Sequence, residues 1–190
     1  MECGQRFEDA FDTDSGFWEQ PVPSQSVVVN LQGGALTIAL PGDFNATAAV
    51  VSRFPLDLAE GSATLELASP PTVATSARLA WTLETWDGLQ GVSVAIEAGQ
   101  LTWGDRDFSW QGSVIFDPVA HRVLWWLDRG DRIELGASPS VEIPPTIISV
   151  STTSDWFTFQ SLRFMLEGRG GLAADTIAIE SVNTTYCLQP

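Results

Sequence analysis

Four of the eight tryptophans stand beside turn or charged residues, where an indole ring could hold a sugar. Trp86 borders an Asp-Gly turn, Trp103 and Trp110 flank the charged segment GDRDFS, and Trp126 lies in the run RVLWWLD. The C–H faces of sugars stack on flat aromatic rings, while a few polar groups fix their orientation. The sequence therefore predicts a carbohydrate-binding platform, with packing under loops or inside a second sheet as the alternative. The predicted platform comprises Trp86, Trp103, Asp105, Arg106, Trp110, Arg122 and Trp126.

Glycoside hydrolysis would instead need two carboxylates aimed at one cleft, about 5–5.5 Å apart in a retaining enzyme. On a strand, Glu and Asp at alternate positions would meet this need. Glu84 and Asp87 are three residues apart, so a strand sends them to opposite faces, and Glu66 and Glu97 stand alone. The single histidine, His121, has no Gly-x-Ser-x-Gly nucleophile motif to serve, and we interpret it as structural. We predict no catalytic residues and no enzyme; carboxylates meeting from separate strands keep hydrolysis as the less favoured alternative.

An acidic cluster precedes the first glycine turn of the chain's body. The segment DAFDTDSG spaces Asp9, Asp12 and Asp14 before Gly16. Hard cations such as calcium bind clustered carboxylates. The full twelve-residue calcium loop is not present because no Glu closes it. A structural calcium ion is therefore one interpretation, and a metal-free acidic turn is the other.

The charge of the chain restricts its partners. It has 24 acidic residues against 9 basic ones, a net charge of -15, and every basic residue is Arg. Such a surface repels nucleic acid and anionic membranes and favours neutral ligands or cations. The sequence has no run of 18 apolar residues, so we predict no membrane span. We expect one domain over residues 1–190, secreted or at the cell surface, with its signal peptide removed.

Apolar residues recur at every second position in many short runs. SATLELAS, VSVAIEAG, SLRFMLEG and DTIAIESV all show this rhythm, which is typical of half-buried strands. Gly, Asp-Gly and Pro-Pro turns separate the runs. We predict an all-β jelly-roll sandwich of two antiparallel sheets, with about a dozen strands and little or no helix. By the same parity, Trp81 and Trp125 are interpreted as core residues.

The order of these segments resembles a known superfamily. FEDAFDTDSGFW opens the chain, GGALTIALPG and a hairpin at 78–97 follow, and DPVAHRVLWWLDRGDRIEL precedes SLRFMLEGRGG. This succession resembles bacterial extracellular jelly-roll modules of the concanavalin A-like lectin/glucanase superfamily, of the laminin-G-like type. The family's Ser-x-Asp-Gly-x-x-Trp hairpin is replaced by ASPSVEIPPT, which keeps the Ser but loses the Asp-Gly and the Trp. The resemblance implies a calcium ion linking first and last strands, with Asp175 as a fourth ligand.

The two cysteines, Cys3 and Cys187, lie near opposite ends of the chain. If the first and last strands are neighbours, the pair could form a disulfide; two free thiols are the alternative. A disulfide closing so long a loop would stabilise the fold by ~3–5 kcal/mol and indicate export.

Together these features favour an exported, non-catalytic module that binds neutral polysaccharide. The functional part of this interpretation rests on fold analogy and on the excess of tryptophan. The alternative from another class is a structural or adhesive subunit of an extracellular protein assembly, whose tryptophans would be buried at protein contacts.

Overall fold

The computed structural model describes residues 3–13, 15–19, 21, 23–24, 26–31, 33–53, 56, 58, 61–106, 110–152 and 162–187. These residues form fourteen β-strands and one turn of 3-10 helix at Val73–Thr75. The strands are β1 (Cys3–Asp9), β2 (Val28–Asn30), β3 (Leu36–Leu40), β4 (Thr47–Val51), β5 (Ser62–Ser69), β6 (Arg78–Thr85), β7 (Gly91–Glu97), β8 (Gln100–Asp105), β9 (Trp110–Ile115), β10 (Val123–Asp128), β11 (Arg132–Ser138), β12 (Thr146–Thr152), β13 (Leu162–Arg169) and β14 (Asp175–Cys187). The predicted all-β class is confirmed.

The strands pair into two antiparallel sheets. The eight-stranded sheet has the order β12-β11-β10-β5-β14-β3-β2, and β1 also pairs with β14. The six-stranded sheet has the order β4-β13-β6-β7-β8-β9. This is a β-sandwich, as the period-two pattern predicts. Among the described residues, no helix is long and apolar enough to cross a membrane.

The core lies between the two sheets and contains aromatic rings from both. Alternation is clearest in β13, where Leu162, Phe164 and Leu166 are buried and the intervening residues are half-buried. The Trp81 ring of β6 lies 5.8 Å from the ring of Phe164 beside it. Across the core, Trp81 lies 6.1 Å from Trp126 of the eight-stranded sheet. These contacts hold the inner faces of the sheets together.

The first strand lies beside the last one, as the disulfide interpretation requires. In the ladder between β1 and β14, Cys3 is directly opposite Cys187. Directly opposed residues of antiparallel strands have Cα atoms about 4.5–5.5 Å apart, a separation that suits a disulfide. The cysteine side chains lie outside the described part of the structure, so the disulfide remains a prediction.

Candidate functional site

The carboxylate of Asp9 is used within its own turn. Asp9 is buried at the end of β1, and its Oδ1 accepts a hydrogen bond from the Phe11 amide at 2.8 Å. Its Oδ2 accepts from the Ser15 hydroxyl at 2.6 Å and from the Trp18 indole at 2.9 Å. Both oxygens therefore stabilise the turn for which the sequence left a calcium site and a metal-free acidic turn as alternatives. Asp12 is exposed, and Asp14 lies outside the described residues.

The predicted fourth metal ligand, Asp175, lies at the other end of the sandwich. Asp9 pairs with Val182 on β14, seven residues beyond Asp175, which separates the two carboxylates by roughly 20 Å. Asp175 accepts hydrogen bonds from the hydroxyls of Thr75 and Thr72 and from the Thr72 amide. Burial alone would raise its pKa, but these hydrogen bonds outweigh burial and lower the pKa below its usual value.

A single calcium site containing both Asp9 and Asp175 is therefore wrong, because no ion reaches two ligands that far apart. Among the described residues, no three His, Cys, Asp or Glu side chains converge as metal ligands would. The described side chains do not form the four-ligand set that the resemblance implied; Asp14 lies outside the described residues, and a calcium ion at the first turn stays a prediction.

The two adjacent tryptophans of β10 face opposite ways, and the prediction for both was wrong. Trp126 is 4% exposed and points into the core, opposite Ala63 of β5 and Leu135 of β11. Trp125 is half-buried on the outer side, opposite Thr64 and Gly136, and its indole donates to Ser138 Oγ at 2.8 Å. The small Ala63 leaves room inside for the larger ring. Trp126 therefore cannot serve as a binding platform.

Trp103 is also turned towards the core, at the edge of the six-stranded sheet. It is half-buried and packs against the core residues. Gly112 of β9 is directly opposite, and a Cβ atom there would lie 2.5 Å from Cζ2 of Trp103. The indole thus covers a glycine that has no side chain. Trp103 stabilises the sheet edge and does not belong to an outward platform.

The outward side of the six-stranded sheet, here called the six-stranded face, has a floor of small side chains. Apart from Glu84, the buried residues of β6, β7 and β8 that point outward are small, and the Thr82 and Ser93 hydroxyls hydrogen-bond to each other at 2.7 Å. The floor comprises Ala80, Thr82, Gly91, Ser93, Ala95, Thr102 and Gly104. These residues are themselves covered, because Ser93 is 0% and Thr82 is 1% exposed, so the floor packs beneath other groups and is not an open surface.

One end of this face carries a buried ion cluster. Glu84 is 0% exposed, and its two oxygens accept from Arg163 Nε at 2.6 Å and from Arg106 Nε at 2.7 Å. Both guanidiniums are partly exposed, so their remaining N–H groups can donate to a ligand. Fork-shaped guanidinium donors with fixed positions suit recognition of oxygen atoms.

The turn after Glu84 carries an exposed indole and packs on the cluster. Trp86 is 45% exposed and belongs to the β6–β7 turn. This turn packs on the cluster, because a Cβ atom at Gly88 would lie 2.9 Å from an amino nitrogen of Arg163. Hydrogen bonds from the Thr85 hydroxyl and the Leu89 amide hold Asp87 and lower its pKa. The turn is thus a fixed support for Trp86.

Two other predicted platform residues lie at the same end of this sheet. Asp105 is half-buried at the end of β8, and Arg106 follows it with its amide bonded to the Gly91 carbonyl. Trp110 begins β9 opposite Gly104, but its side chain is outside the described part of the structure. The structure therefore groups Trp86, Asp105 and Arg106 at one end of the sheet. The backbone of Trp110 lies on β9, two strands away from Ser93 of β7.

Arg122 lies on the opposite side of the sandwich, so the prediction that it belongs to the platform was wrong. Its guanidinium lies 2.7 Å from Glu180 and 3.1 Å from Glu66, both on the outward side of the eight-stranded sheet. Burial and the neighbouring Glu180 raise the pKa of Glu66, and Arg122 opposes them. Glu66 Oε2 also accepts a 3.5 Å hydrogen bond from Ser181. The network leads along the sheet to a pocket that the sequence analysis missed.

This second site, here called the Trp125 pocket, is a cavity of about 420 Å³ on the outward side of the eight-stranded sheet. Its lining has one indole wall and otherwise almost entirely polar side chains. The lining residues are Ser62, Thr64, Trp125, Val141, Glu142, Asn183 and Thr185. The polar alternation of Ser62 and Thr64 in SATLELAS indicates an outward row, but only the strand order shows that Trp125 and Asn183 share it.

Glu84 and Glu97 of the six-stranded face do not form the carboxylate pair of a retaining glycosidase, and on the other side of the sandwich Glu66 and Glu180 are bridged by one Arg122 nitrogen. Glu84 is opposite Gly91, and Gly91 lies six residues before Glu97 on β7. Glu84 and Glu97 are therefore roughly 20 Å apart along the strands. Glu97 is itself paired with Arg169 at 2.9 Å. His121 accepts a hydrogen bond from the Asp117 amide through Nδ1 and packs beside Phe116. Burial lowers the pKa of His121, in accord with the structural role predicted for it.

Comparison with known proteins identifies the fold. No family model and no curated protein sequence matches the chain. Among solved structures, the calcium-bound VIP36 exoplasmic/lumenal domain has a TM-score of 0.66 and 11% identity, covering 96% of this chain and 89% of that one. The potassium-bound Emp46p carbohydrate recognition domain has a TM-score of 0.62 and 10% identity, covering 94% of each chain.

A bacterial-type enzyme has the same architecture. A prokaryotic β-1,3-1,4-glucanase (lichenase) from a mouse hindgut metagenome matches with a TM-score of 0.60 and 13% identity, over 97% of this chain and 100% of that one. The chain therefore has the concanavalin A-like lectin/glucanase fold, as the order of its segments implied. The fold includes both sugar-binding domains and a hydrolase, so the site must decide between them.

Proposed function

We propose that the protein is a non-catalytic carbohydrate-binding module that binds neutral glycans on the six-stranded face. The observation that supports this most is the end of that face, where the turn that carries exposed Trp86 packs on a fixed cluster of Arg106, Glu84 and Arg163. An indole supplies a stacking surface, and oriented guanidinium N–H groups donate to hydroxyl oxygens.

The ligand class follows from charge. A net charge of -15 disfavours acidic polysaccharides, so the ligand is a neutral one. The structural neighbours agree with a sugar ligand: the VIP36 domain is known in a form bound to Man3GlcNAc. An exoplasmic or lumenal setting, as named for that domain, fits the opposed cysteine pair of β1 and β14.

Binding without hydrolysis is proposed because Glu84 and Glu97, two carboxylates on this face, are bonded to arginine. Both oxygens of Glu84 accept from guanidinium groups, and Glu97 is bonded to Arg169. A general acid must instead be able to give a proton to the leaving group. Incubation with mixed-linkage β-glucan tests this directly. Turnover that disappears in Glu97→Gln or Glu84→Gln would show that the protein is a hydrolase.

A glycan array tests the binding function. We expect wild type to retain neutral oligosaccharides and Trp86→Ala to lose most of that signal, since stacking on one indole typically dominates such sites. Phe44→Ala is the matched control, because Phe44 is also an exposed aromatic residue but lies in the β3–β4 connection. Phe44→Ala should bind like wild type. No retention of any neutral glycan, with self-association in light scattering, would favour the structural-subunit alternative.

A further inference from the structure

The Trp125 pocket contains buried polar atoms that the protein leaves without partners. Thr64 is 5% exposed and Asn183 is 8% exposed, yet Thr64 Oγ1 and Asn183 Oδ1 have no hydrogen-bond partner within the protein. Both side chains line the pocket, on the row that runs from Trp125 through Thr64 to Asn183. A buried polar group without a partner costs about 1–3 kcal/mol, so most such groups are satisfied in folded proteins.

The orientation of these atoms is fixed by neighbouring contacts. Asn183 donates its amide nitrogen to Ser181 Oγ at 3.2 Å, so its oxygen is the atom left without a partner. The Trp125 indole nitrogen donates to Ser138 Oγ at 2.8 Å, and this bond holds the ring in place as a wall. The pocket is therefore built before any ligand arrives, which lowers the entropic cost of binding.

The chemistry of the lining selects for hydroxyl groups. Asn183 Oδ1 can only accept a hydrogen bond, and hydrogen bonding from Ser140 lowers the pKa of Glu142, so that its carboxylate is an acceptor as well. Thr64 can donate or accept. Two acceptors and an aromatic wall match a ligand with hydroxyl donors and a C–H face, and Glu142 repels anions. The cavity of about 420 Å³ is within the size range of small-molecule sites.

We propose that the Trp125 pocket is a second saccharide-binding site for neutral sugars, on the side of the sandwich opposite the six-stranded face. The sugar stacks on Trp125 while its hydroxyls donate to Asn183 Oδ1 and Glu142 and hydrogen-bond with Thr64. This inference rests on the proposal that the protein binds carbohydrate, but it uses different residues.

The two sites can be tested separately through their indole resonances. Uniformly ¹⁵N-labelled protein is titrated with maltose, cellobiose and mannobiose, and the Trp125 and Trp86 indole signals are assigned with Trp125→Phe and Trp86→Phe. We expect saturable shifts of the Trp125 signal with at least one of these sugars. N-acetylneuraminic acid, an anionic sugar, should not shift it.

The decisive variant is Thr64→Val, which removes a partnerless hydroxyl without changing the shape of the side chain. It should weaken binding at Trp125 about three- to tenfold while leaving the unfolding free energy equal or higher. Thr102→Val is the matched control, because that buried hydroxyl already donates to the Ala95 carbonyl on the six-stranded face. Binding at Trp125 should be unchanged in it.

The outcomes separate this inference from the proposed function. If only the Trp86 signal shifts, the six-stranded face binds sugar and the Trp125 site is wrong. If only the Trp125 signal shifts, the reverse holds. A Trp125 signal that stays still with all three neutral sugars, or Thr64→Val binding as tightly as wild type, overturns the second site.

Discussion

The two outward faces of the sandwich differ in how their buried polar groups are hydrogen-bonded. On the six-stranded face, the buried charge of Glu84 is bonded on both oxygens by arginine side chains. On the eight-stranded face, the buried Thr64 and Asn183 each keep an atom without a partner beside Trp125. The Glu84 cluster is internally satisfied and presents outward-pointing guanidinium groups, whereas Arg169 Nε elsewhere on that face has no partner among the described residues. The second is incomplete until water or a ligand enters it.

We propose from this difference that a polar atom left without a partner at a pocket indicates a site better than residue type does. Arginine, aspartate and tryptophan attract attention in a sequence, but Arg122 and Trp126 are committed to structural contacts. Threonine and asparagine look ordinary, yet they supply the free acceptors.

The opposite orientation of the two β10 tryptophans predicts very different stability losses. Trp126→Ala should lower the unfolding free energy by about 3–5 kcal/mol, because it opens a cavity against Trp81. Trp125→Ala should cost only about 1 kcal/mol, since that ring is half exposed. Urea denaturation measures both. Trp126→Phe, which retains a ring and removes a partnerless indole N–H, should lie between them; equal losses for both alanine variants would contradict the assigned orientations.

The register of β1 and β14 predicts a covalent link across the eight-stranded sheet. With Cys3 opposite Cys187, replacing both by serine should lower the unfolding free energy by about 2–4 kcal/mol. Reductant should lower the melting temperature of the wild type to about that of the double variant, and it should leave the melting temperature of the double variant unchanged. Two reactive thiols in the unreduced, denatured protein would show that the cysteines are not bonded.

The buried ion cluster at one end of the six-stranded face predicts that stability depends more on Glu84 than on Glu97 at the other end of the face. Glu84→Gln should destabilise by about 1–3 kcal/mol, because it leaves Arg106 and Arg163 with only a neutral partner in a buried position. Glu97→Gln should cost at most about 1 kcal/mol, since Glu97 and Arg169 are both about one-third exposed. Chemical denaturation at low salt compares them. A larger loss at Glu97 would reverse the assignment of the buried anchor.

The smallest effect concerns pH. The pKa of Asp175 in the folded protein lies below its ordinary value of 3.8, so its stabilising hydrogen bonds are fully present above that pH. They are lost as the pH falls through the lower, folded-state pKa. Asp175→Asn should therefore be less stable than wild type by about 1 kcal/mol near neutral pH, with the difference shrinking below pH 3.8. A difference that grows on acidification would have the wrong sign.

The sequence predicts strands well where only one face is apolar. In β5 and β13 every second residue is apolar, and the structure buries those residues. The rule fails in β10, because VLWWLD is apolar on both faces and the rhythm does not say which side is inside. The partners decide: Ala63 leaves space for Trp126, whereas polar Thr64 accompanies Trp125.

Site residues were predictable only where local spacing was enough. Trp86 and Arg106 stand out through their turns, and the structure does bring them to one sheet end. The separation of Asp9 from Asp175 depends on the register of β14 with two different strands, which no local pattern contains. The same holds for Trp103, whose glycine partner lies on the next strand.

The position of β14 has a consequence for how the chain folds. This last strand lies between β5 and β3 in the eight-stranded sheet and also pairs with β1. During synthesis, β1, β3 and β5 therefore emerge long before the segment that joins them. Their edges stay open until it arrives, so we expect slow folding with a high contact order and a need to keep those edges apart in the meantime.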